Sequence, residues 1–191
     1  RHFAEKRDRM RRIEARHLEE LVRERTGDVV CLDQGYTNVA LNPFDAADAS
    51  GGFPHASTNS VCRNERVFAA ANVIDGRPEN QGHGPLFPSW GPEKDADPWL
   101  RIDLGALRRI DRIDLWIRAD FPHDSFWKHA AVTFSDGSSL PIQIRKTADR
   151  QSYRFPEKTV RWLRFEHLQP NDADGWCAFS EVPVWGQRAD A

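Results

Sequence analysis

The chain has 191 residues, of which 39% are hydrophobic, so it is long and apolar enough for one core with an appendage. Its formal net charge of −2 gives it no overall attraction to nucleic acid or to an anionic membrane. No apolar run approaches the roughly 18 residues that a membrane-spanning helix needs, so none is predicted.

The first segment, residues 1–30, predicts one amphipathic helix. It begins without Met and without the apolar core of a signal peptide, so we expect a piece of a longer or processed protein. Arg and Glu are interleaved along it, which argues against nucleic-acid binding. Its apolar residues recur at helical spacing: Met10, Ile13, Leu18, Leu21 and Val22. The helix either connects to an upstream domain or caps the core of this one.

From residue 35 onward, the sequence predicts an all-β, antiparallel β-sandwich. Apolar and polar residues alternate in short segments, at 35–41, 99–105, 109–118, 131–144, 152–155, 160–168 and 179–186. A Ser-Asp-Gly turn at 135–137 predicts a hairpin, and Pro183 predicts an edge position or a bulge in the last segment. Regularly spaced short strands without a convincing second helix are typical of a sandwich.

The three cysteines are Cys31, Cys62 and Cys177, an odd number that does not form a disulfide framework. One bridge is possible, but we expect three buried thiols. No Cys-x-x-Cys pair is present, so a cysteine zinc site is not predicted.

The order of these motifs resembles a known family. "AAANVIDG" at 69–76 is followed by a loop ending in Ser-Trp, then by "WLRIDLG", "IDRIDLWIRAD" and a terminal "SEVPVWG". Residues 35–187 thereby resemble the discoidin, or coagulation-factor C-type, domain among the galactose-binding-like jelly rolls, a form shared by many bacterial carbohydrate-binding modules. The resemblance implies an eight-stranded sandwich of two antiparallel sheets, with ligand loops at one end. Family habit favours an extracellular or cell-surface location.

The resemblance also implies a structural calcium ion near the Asp-Gly turn. The family's side-chain ligands fall here on Asp75, Ser89 and Glu181, and backbone carbonyls of the 70–80 region would complete the oxygen shell that Ca²⁺ requires. In the alternative interpretation, Asp75 only caps a turn and Glu181 is a surface carboxylate.

Two loops are candidate sugar-binding segments because they combine rings with polar side chains. The Pro-rich segment 77–88 carries Asn80 and His83, and could instead be a surface loop with Phe87 and Trp90 in the core, where we expect Trp90. Segment 118–130 supplies the other candidates: Arg118, Asp120, His123 and Trp127. Arg118 and Asp120 could equally brace the loop as a salt bridge, whereas His123 and Trp127 are expected to be exposed.

A third loop, residues 169–179, offers Trp176 either as a stacking face or as a core residue. The sequence contains no Gly-x-Ser-x-Gly elbow, no His-Glu-x-x-His helix and no phosphate-binding Gly loop. We therefore expect a non-catalytic carbohydrate-binding module of a larger glycan-active protein, with a glycan and an upstream domain as partners. The alternatives are a structural or protein-interaction module, whose loops would be buried against a partner, and an enzyme.

Overall fold

The computed structural model describes residues 35–46, 52–80, 82, 86–94, 97–118 and 125–189. All of them belong to the second of the two units into which the chain divides, Gln34–Ala191. The helix predicted for residues 1–30, and with it the boundary between helix and sandwich, lies outside the described residues.

The described part of the chain is all-β and antiparallel, as predicted. Its eight strands are β1 (Thr37–Asn38), β2 (His55–Thr58), β3 (Leu100–Ile117), β4 (Trp127–Phe134), β5 (Ser139–Gln143), β6 (Gln151–Pro170), β7 (Phe179–Glu181) and β8 (Val184–Arg188). Their order is β1-β8-β3-β6-β4-β5, and β2 and β7 each pair with β3. Within these ranges the helices are three short 3-10 turns, none of which could cross a membrane.

Strands β3 and β6 are long, and each joins two of the segments that the sequence predicts as separate strands. They pair with each other along most of their length, with breaks in register between Asp103 and Arg108 and between Ile110 and Arg112. Gly105, at φ +76°, lies at the first break, where a side chain would clash with Phe53. The two strands therefore continue through the break instead of ending. Trp90 relates the two ends of β3, because its indole N–H donates to Thr58 Oγ, which donates to the Trp99 carbonyl, and its backbone pairs with Phe179, the partner of Ile117.

The core follows the predicted alternation. Leu100, Ile102 and Leu104 in the first half of β3 are buried, as are Ile113, Leu115 and Ile117 in the second half. An aromatic cluster lies beside them, in which Trp90 packs on Phe179 at 5.7 Å between ring centroids. The prediction that Trp90 is a core residue is confirmed, because its side chain is fully buried.

Several local features also match the sequence. The predicted hairpin is β4–β5, with Gly137 at φ +82° in its turn. Pro183 separates β7 from β8, and its carbonyl accepts a hydrogen bond from the Asp114 backbone N–H. Cys62 and Cys177 are buried, in line with the expected buried thiols, and Cys31 lies outside the described ranges. Strand β2 and the 3-10 turns of 62–73 are not predicted, because their segments have no clear period.

Candidate functional site

Loops from distant parts of the sequence meet at the end of the domain where β3 begins and ends. Backbone hydrogen bonds join them: Cys62 N–H donates to the Gly91 carbonyl at 2.8 Å, and Arg118 N–H donates to the Ala178 carbonyl at 3.1 Å. Ser125 N–H donates to the Trp176 carbonyl at 3.0 Å. These bonds fix the loops to one another, so side chains projecting from them hold defined positions.

Between two of these loops lies a depression of about 70 Å³ that is open to solvent, here named the Trp176 groove. Residues 92–94 and Pro98 line one side, and residues of the 170–177 segment line the other, with Trp127 and Leu168 between them. Three prolines in this lining restrict backbone motion. The groove is shallow and has polar and ring-bearing walls, which suits a ligand bound at a surface.

Trp176 is the exposed aromatic ring of this groove, with 37% of its surface accessible. The Lys94 ammonium lies 4.6 Å from the centre of its ring, a cation–π contact, and also donates a hydrogen bond to the Asp174 carbonyl. Of the two roles that the sequence leaves open for Trp176, the structure supports an exposed ring and not a core position.

Two other predicted ligand residues are buried and brace the loops. Asn80 is 4% exposed, and its amide donates to the carbonyls of Ile117 and Ala148 at 2.7 and 3.1 Å. Arg118 is also 4% exposed, and its guanidinium lies over the Phe68 ring at 5.8 Å. Both buried side chains contact and stabilise the loops. Their contact with a ligand stays a prediction.

The expectation that Trp127 is exposed is wrong. Its side chain is 5% exposed and stacks on Trp90 at 5.3 Å, with the edge of Phe179 at 4.7 Å. Trp127 therefore forms the floor of the Trp176 groove and not a free stacking surface. The remaining candidates, His83, Asp120 and His123, lie outside the described residues, and their roles stay predictions.

On another side of the same loops, the fold brings together the three predicted calcium ligands. The Gly76 backbone N–H donates to Glu181 Oε1 at 3.2 Å, so the Asp-Gly turn contacts the end of β7. Ser89 precedes Trp90, whose backbone pairs with Phe179, so Ser89 lies across from Ser180. We refer to Asp75, Ser89, Ser180 and Glu181 as the Glu181 cluster.

The Glu181 cluster contains buried oxygens that the protein does not satisfy. Glu181 is 2% exposed and Ser89 and Ser180 are fully buried. Ser89 Oγ, Ser180 Oγ and Glu181 Oε2 have no hydrogen-bond partner among the described residues. Because buried polar atoms are nearly always paired in native proteins, three such atoms on two paired segments require an explanation.

Electrostatics at this cluster are unfavourable for an ionised Glu181. Burial raises the pKa of its carboxyl well above the usual value, and the negative charges of Asp75 and Glu79 raise it further. The backbone N–H groups of Gly76 and Arg77 oppose the rise. A bound cation would remove the cost of placing these carboxylates together.

The groove depends on two residues that the sequence analysis does not select, Glu93 and Lys94. Glu93 Oε1 accepts a hydrogen bond from the Arg63 backbone N–H at 2.5 Å, which fixes its carboxylate at the groove. The signal that could have identified them is their position between Pro92 and Pro98, in a short charged loop directly after a buried Ser-Trp pair.

The model of a family described as F5/8 type C domain matches residues 55–182, well over half of the sequence. The chain therefore belongs to the F5/8 type C domain family, and the resemblance to discoidin domains is confirmed. No match to a curated protein was found.

Solved structures with this fold include three sugar-binding domains. The lectin domain of lectinolysin, complexed with Lewis B antigen, has a TM-score of 0.57 at 16% identity and covers 80% of this chain and 98% of its own. The family 32 carbohydrate-binding module of Clostridium perfringens NanJ, in complex with galactose, scores 0.52 at 16% identity and covers 68% and 91%. Chitosan-binding module 1 from a Paenibacillus sp. IK-5 chitosanase/glucanase scores 0.51 at 17% identity and covers 78% and 99%. At these identities the likeness establishes the fold.

Proposed function

We propose that this domain is a non-catalytic carbohydrate-binding module that holds a glycan in the Trp176 groove. The observation that carries the proposal is the exposed Trp176 ring in a shallow groove, at the end of the domain where the loops meet. The structural neighbours that bind galactose, Lewis B antigen and chitosan support it, because they share the fold.

The groove has the two features that sugar recognition requires. A flat ring can pack against the C–H face of a pyranose, and Trp176 supplies one that is accessible. Fixed polar groups can bond sugar hydroxyls, and the Glu93 carboxylate lines the same depression. Because Trp127 underneath is held by core contacts, the floor of the groove is preformed.

The test is isothermal calorimetry of the full chain against a panel of neutral and charged oligosaccharides. We expect a Kd between about 10 µM and 1 mM for at least one glycan, a range equivalent to about −7 to −4 kcal/mol. Trp176→Ala should weaken that binding at least about tenfold, because it removes the ring on which the sugar packs.

The matched control is Trp162→Ala. Trp162 also lies under a cation, with the Arg101 guanidinium 4.6 Å from its ring, but it pairs with Asp103 in the middle of a strand and lies outside the groove. Equal loss of binding in the two variants, or full binding by Trp176→Ala, would refute the assignment of the site.

We also propose that the Glu181 cluster holds a structural Ca²⁺. Its donor set consists of hard oxygens, with carboxylates and hydroxyls next to the backbone carbonyls of an irregular loop, which is the chemistry that Ca²⁺ prefers. Among the described residues no group of three or more His, Cys, Asp or Glu side chains could hold a metal, so hydroxyls and backbone carbonyls would have to complete the ligand set beside Asp75 and Glu181. Calcium would pair the unsatisfied Glu181 Oε2 and fix the Asp-Gly turn to β7.

A further inference from the structure

The ring face of Trp176 already has a cation on it. Lys94 reaches across the groove from the 92–98 side, places its ammonium over the ring at 4.6 Å, and donates a hydrogen bond to the Asp174 carbonyl on the other side. The Glu93 carboxylate lines the groove next to it. An aromatic face, a carbonyl oxygen and a carboxylate together form a receptor for an ammonium group.

This arrangement affects which sugars can bind. A neutral pyranose that stacks on Trp176 must move Lys94 aside. Its C–H face and its hydroxyls then replace the cation–π contact and the charged hydrogen bond to Asp174 with weaker, neutral contacts. A sugar that carries its own ammonium group restores both contacts when it displaces Lys94. The loss of binding free energy on displacing Lys94 is therefore smaller for the charged sugar, which favours its binding.

We propose that the Trp176 groove selects glycans containing free, protonated amino sugars, and that Lys94 is the specificity-determining residue that the ligand's ammonium group replaces. This inference rests on the proposed function, since it names the class of glycan bound at the same site. Lys94 acts as an internal competitor that disfavours neutral rings.

Charge at the groove favours a cationic ligand over an anionic one. Once Lys94 is displaced, Glu93 is the charged side chain that remains among the described lining residues. The 171–176 loop adds two exposed carboxylates, Asp172 and Asp174. A uronic acid or a sialic acid would place its carboxylate against these groups, whereas an amino sugar would be attracted by them.

The test compares oligomers of glucosamine, N-acetylglucosamine and a uronic acid, matched in length, by calorimetry with the full chain at about pH 5.5. We expect the free-amine oligomer to bind about two- to fivefold more tightly than its N-acetylated form, the range of one exposed cation–π contact. Raising the pH to about 8.5, where most of the ligand amines lose their protons, should remove this preference.

Two variants separate the mechanism from general charge attraction. Lys94→Met frees the ring face, so affinity for the N-acetylated oligomer should rise about two- to fivefold. Glu93→Gln should weaken only the free-amine oligomer. The control, Glu157→Gln, removes an exposed carboxylate from β6, outside the groove, and should change neither.

The possible failures are distinguishable. If the N-acetylated or uronic-acid oligomer binds as tightly as the free-amine oligomer or more tightly, the amino-sugar preference is overturned. If Trp176→Ala still abolishes that binding, the proposal of glycan binding in the groove stands. Equal effects of Glu93→Gln and Glu157→Gln also overturn the preference, because attraction would then come from overall charge. Absence of binding to these three oligomers overturns the amino-sugar preference, whereas absence of binding to every glycan of the wider panel overturns both proposals.

Discussion

Glu181→Gln is the most informative single change in this domain. The substitution keeps the size of the side chain and an oxygen that can accept the Gly76 hydrogen bond, but it removes the negative charge of a carboxyl that is 2% exposed. If calcium binds there, the variant loses the ion. Without calcium, the wild-type protein must bury a carboxyl whose Oε2 has no hydrogen-bond partner, and the variant avoids the cost of a charge at that position.

The size of the effect follows from ligand linkage. At a free calcium concentration about one hundred times Kd, binding to the folded state alone adds about 2.7 kcal/mol to the free energy of unfolding. For a chain of 191 residues, each kcal/mol corresponds to about 2–4 °C in Tm. Calcium should therefore raise the Tm of the wild-type protein by about 5–11 °C, and that of Glu181→Gln by less than about 2 °C.

The assay is differential scanning calorimetry at about pH 7.5, in calcium and in excess chelator. The matched control is Asp114→Asn, another buried carboxylate, which accepts hydrogen bonds from Trp185 Nε1 at 2.8 Å and Ser152 Oγ at 2.6 Å. The control should lose about 2–4 kcal/mol in both buffers, because charged hydrogen bonds are broken, and keep the full calcium increment. A calcium increment that survives in Glu181→Gln, or is absent from the wild type, would refute the site.

The pH dependence has a defined sign. Because the pKa of Glu181 is raised in the folded state, the folded protein binds more protons than the unfolded chain between the ordinary Glu pKa and the raised value. In chelator, the stability contributed by this group is therefore present at low pH and is lost as pH rises through that window. Calcium competes with the same proton, so its Tm increment should be larger at about pH 8 than at about pH 5.5. Glu181→Gln should show neither trend.

Two further predictions concern the fold. Gly105→Ala places a methyl group 2.5 Å from Phe53 Cβ at a φ of +76°, so we expect a loss of about 2–4 kcal/mol by urea unfolding, and a loss below about 0.5 kcal/mol would contradict the strain. In a Cys31→Ser, Cys177→Ser background, the remaining thiol of Cys62, which is 3% exposed and whose pKa is raised by burial, should react with a thiol reagent only after denaturation. Fast reaction of the native protein would contradict the burial of Cys62.

The sequence predicts well whatever depends on short-range periodicity. Leu100, Ile102 and Leu104 are buried because alternate side chains of a strand point to the same face, which a sequence displays directly. It does not reveal that two such segments form one strand, because the continuity of β3 is set by pairing with β6, whose paired residues are 36 to 65 positions away in the chain. Non-local pairing leaves no local signal.

Trp127 shows how a residue predicted in a loop can instead begin a strand and point into the core. Phe134, Val132 and Ala130 are buried at alternate positions, and the same alternation extended backwards would leave residue 127 outside. The pairing with β6 shifts register between Trp127 and Ala131, which turns Trp127 inward. For a similar reason the Lys94 contact could not be predicted, because its partner, Asp174, is 80 residues away.

The backbone pairing of Trp90 with Phe179 makes the two proposed ligands thermodynamically interdependent. Ser89 and Ser180 flank this pair on the side of the Glu181 cluster, whereas Pro92 and Cys177, two residues away, line the Trp176 groove. A displacement of either short segment moves both sites. By reciprocity, whatever factor calcium introduces into glycan affinity, the glycan introduces into calcium affinity. If calcium strengthens glycan binding through this pair, a calcium-poor medium would weaken the binding of both proposed ligands.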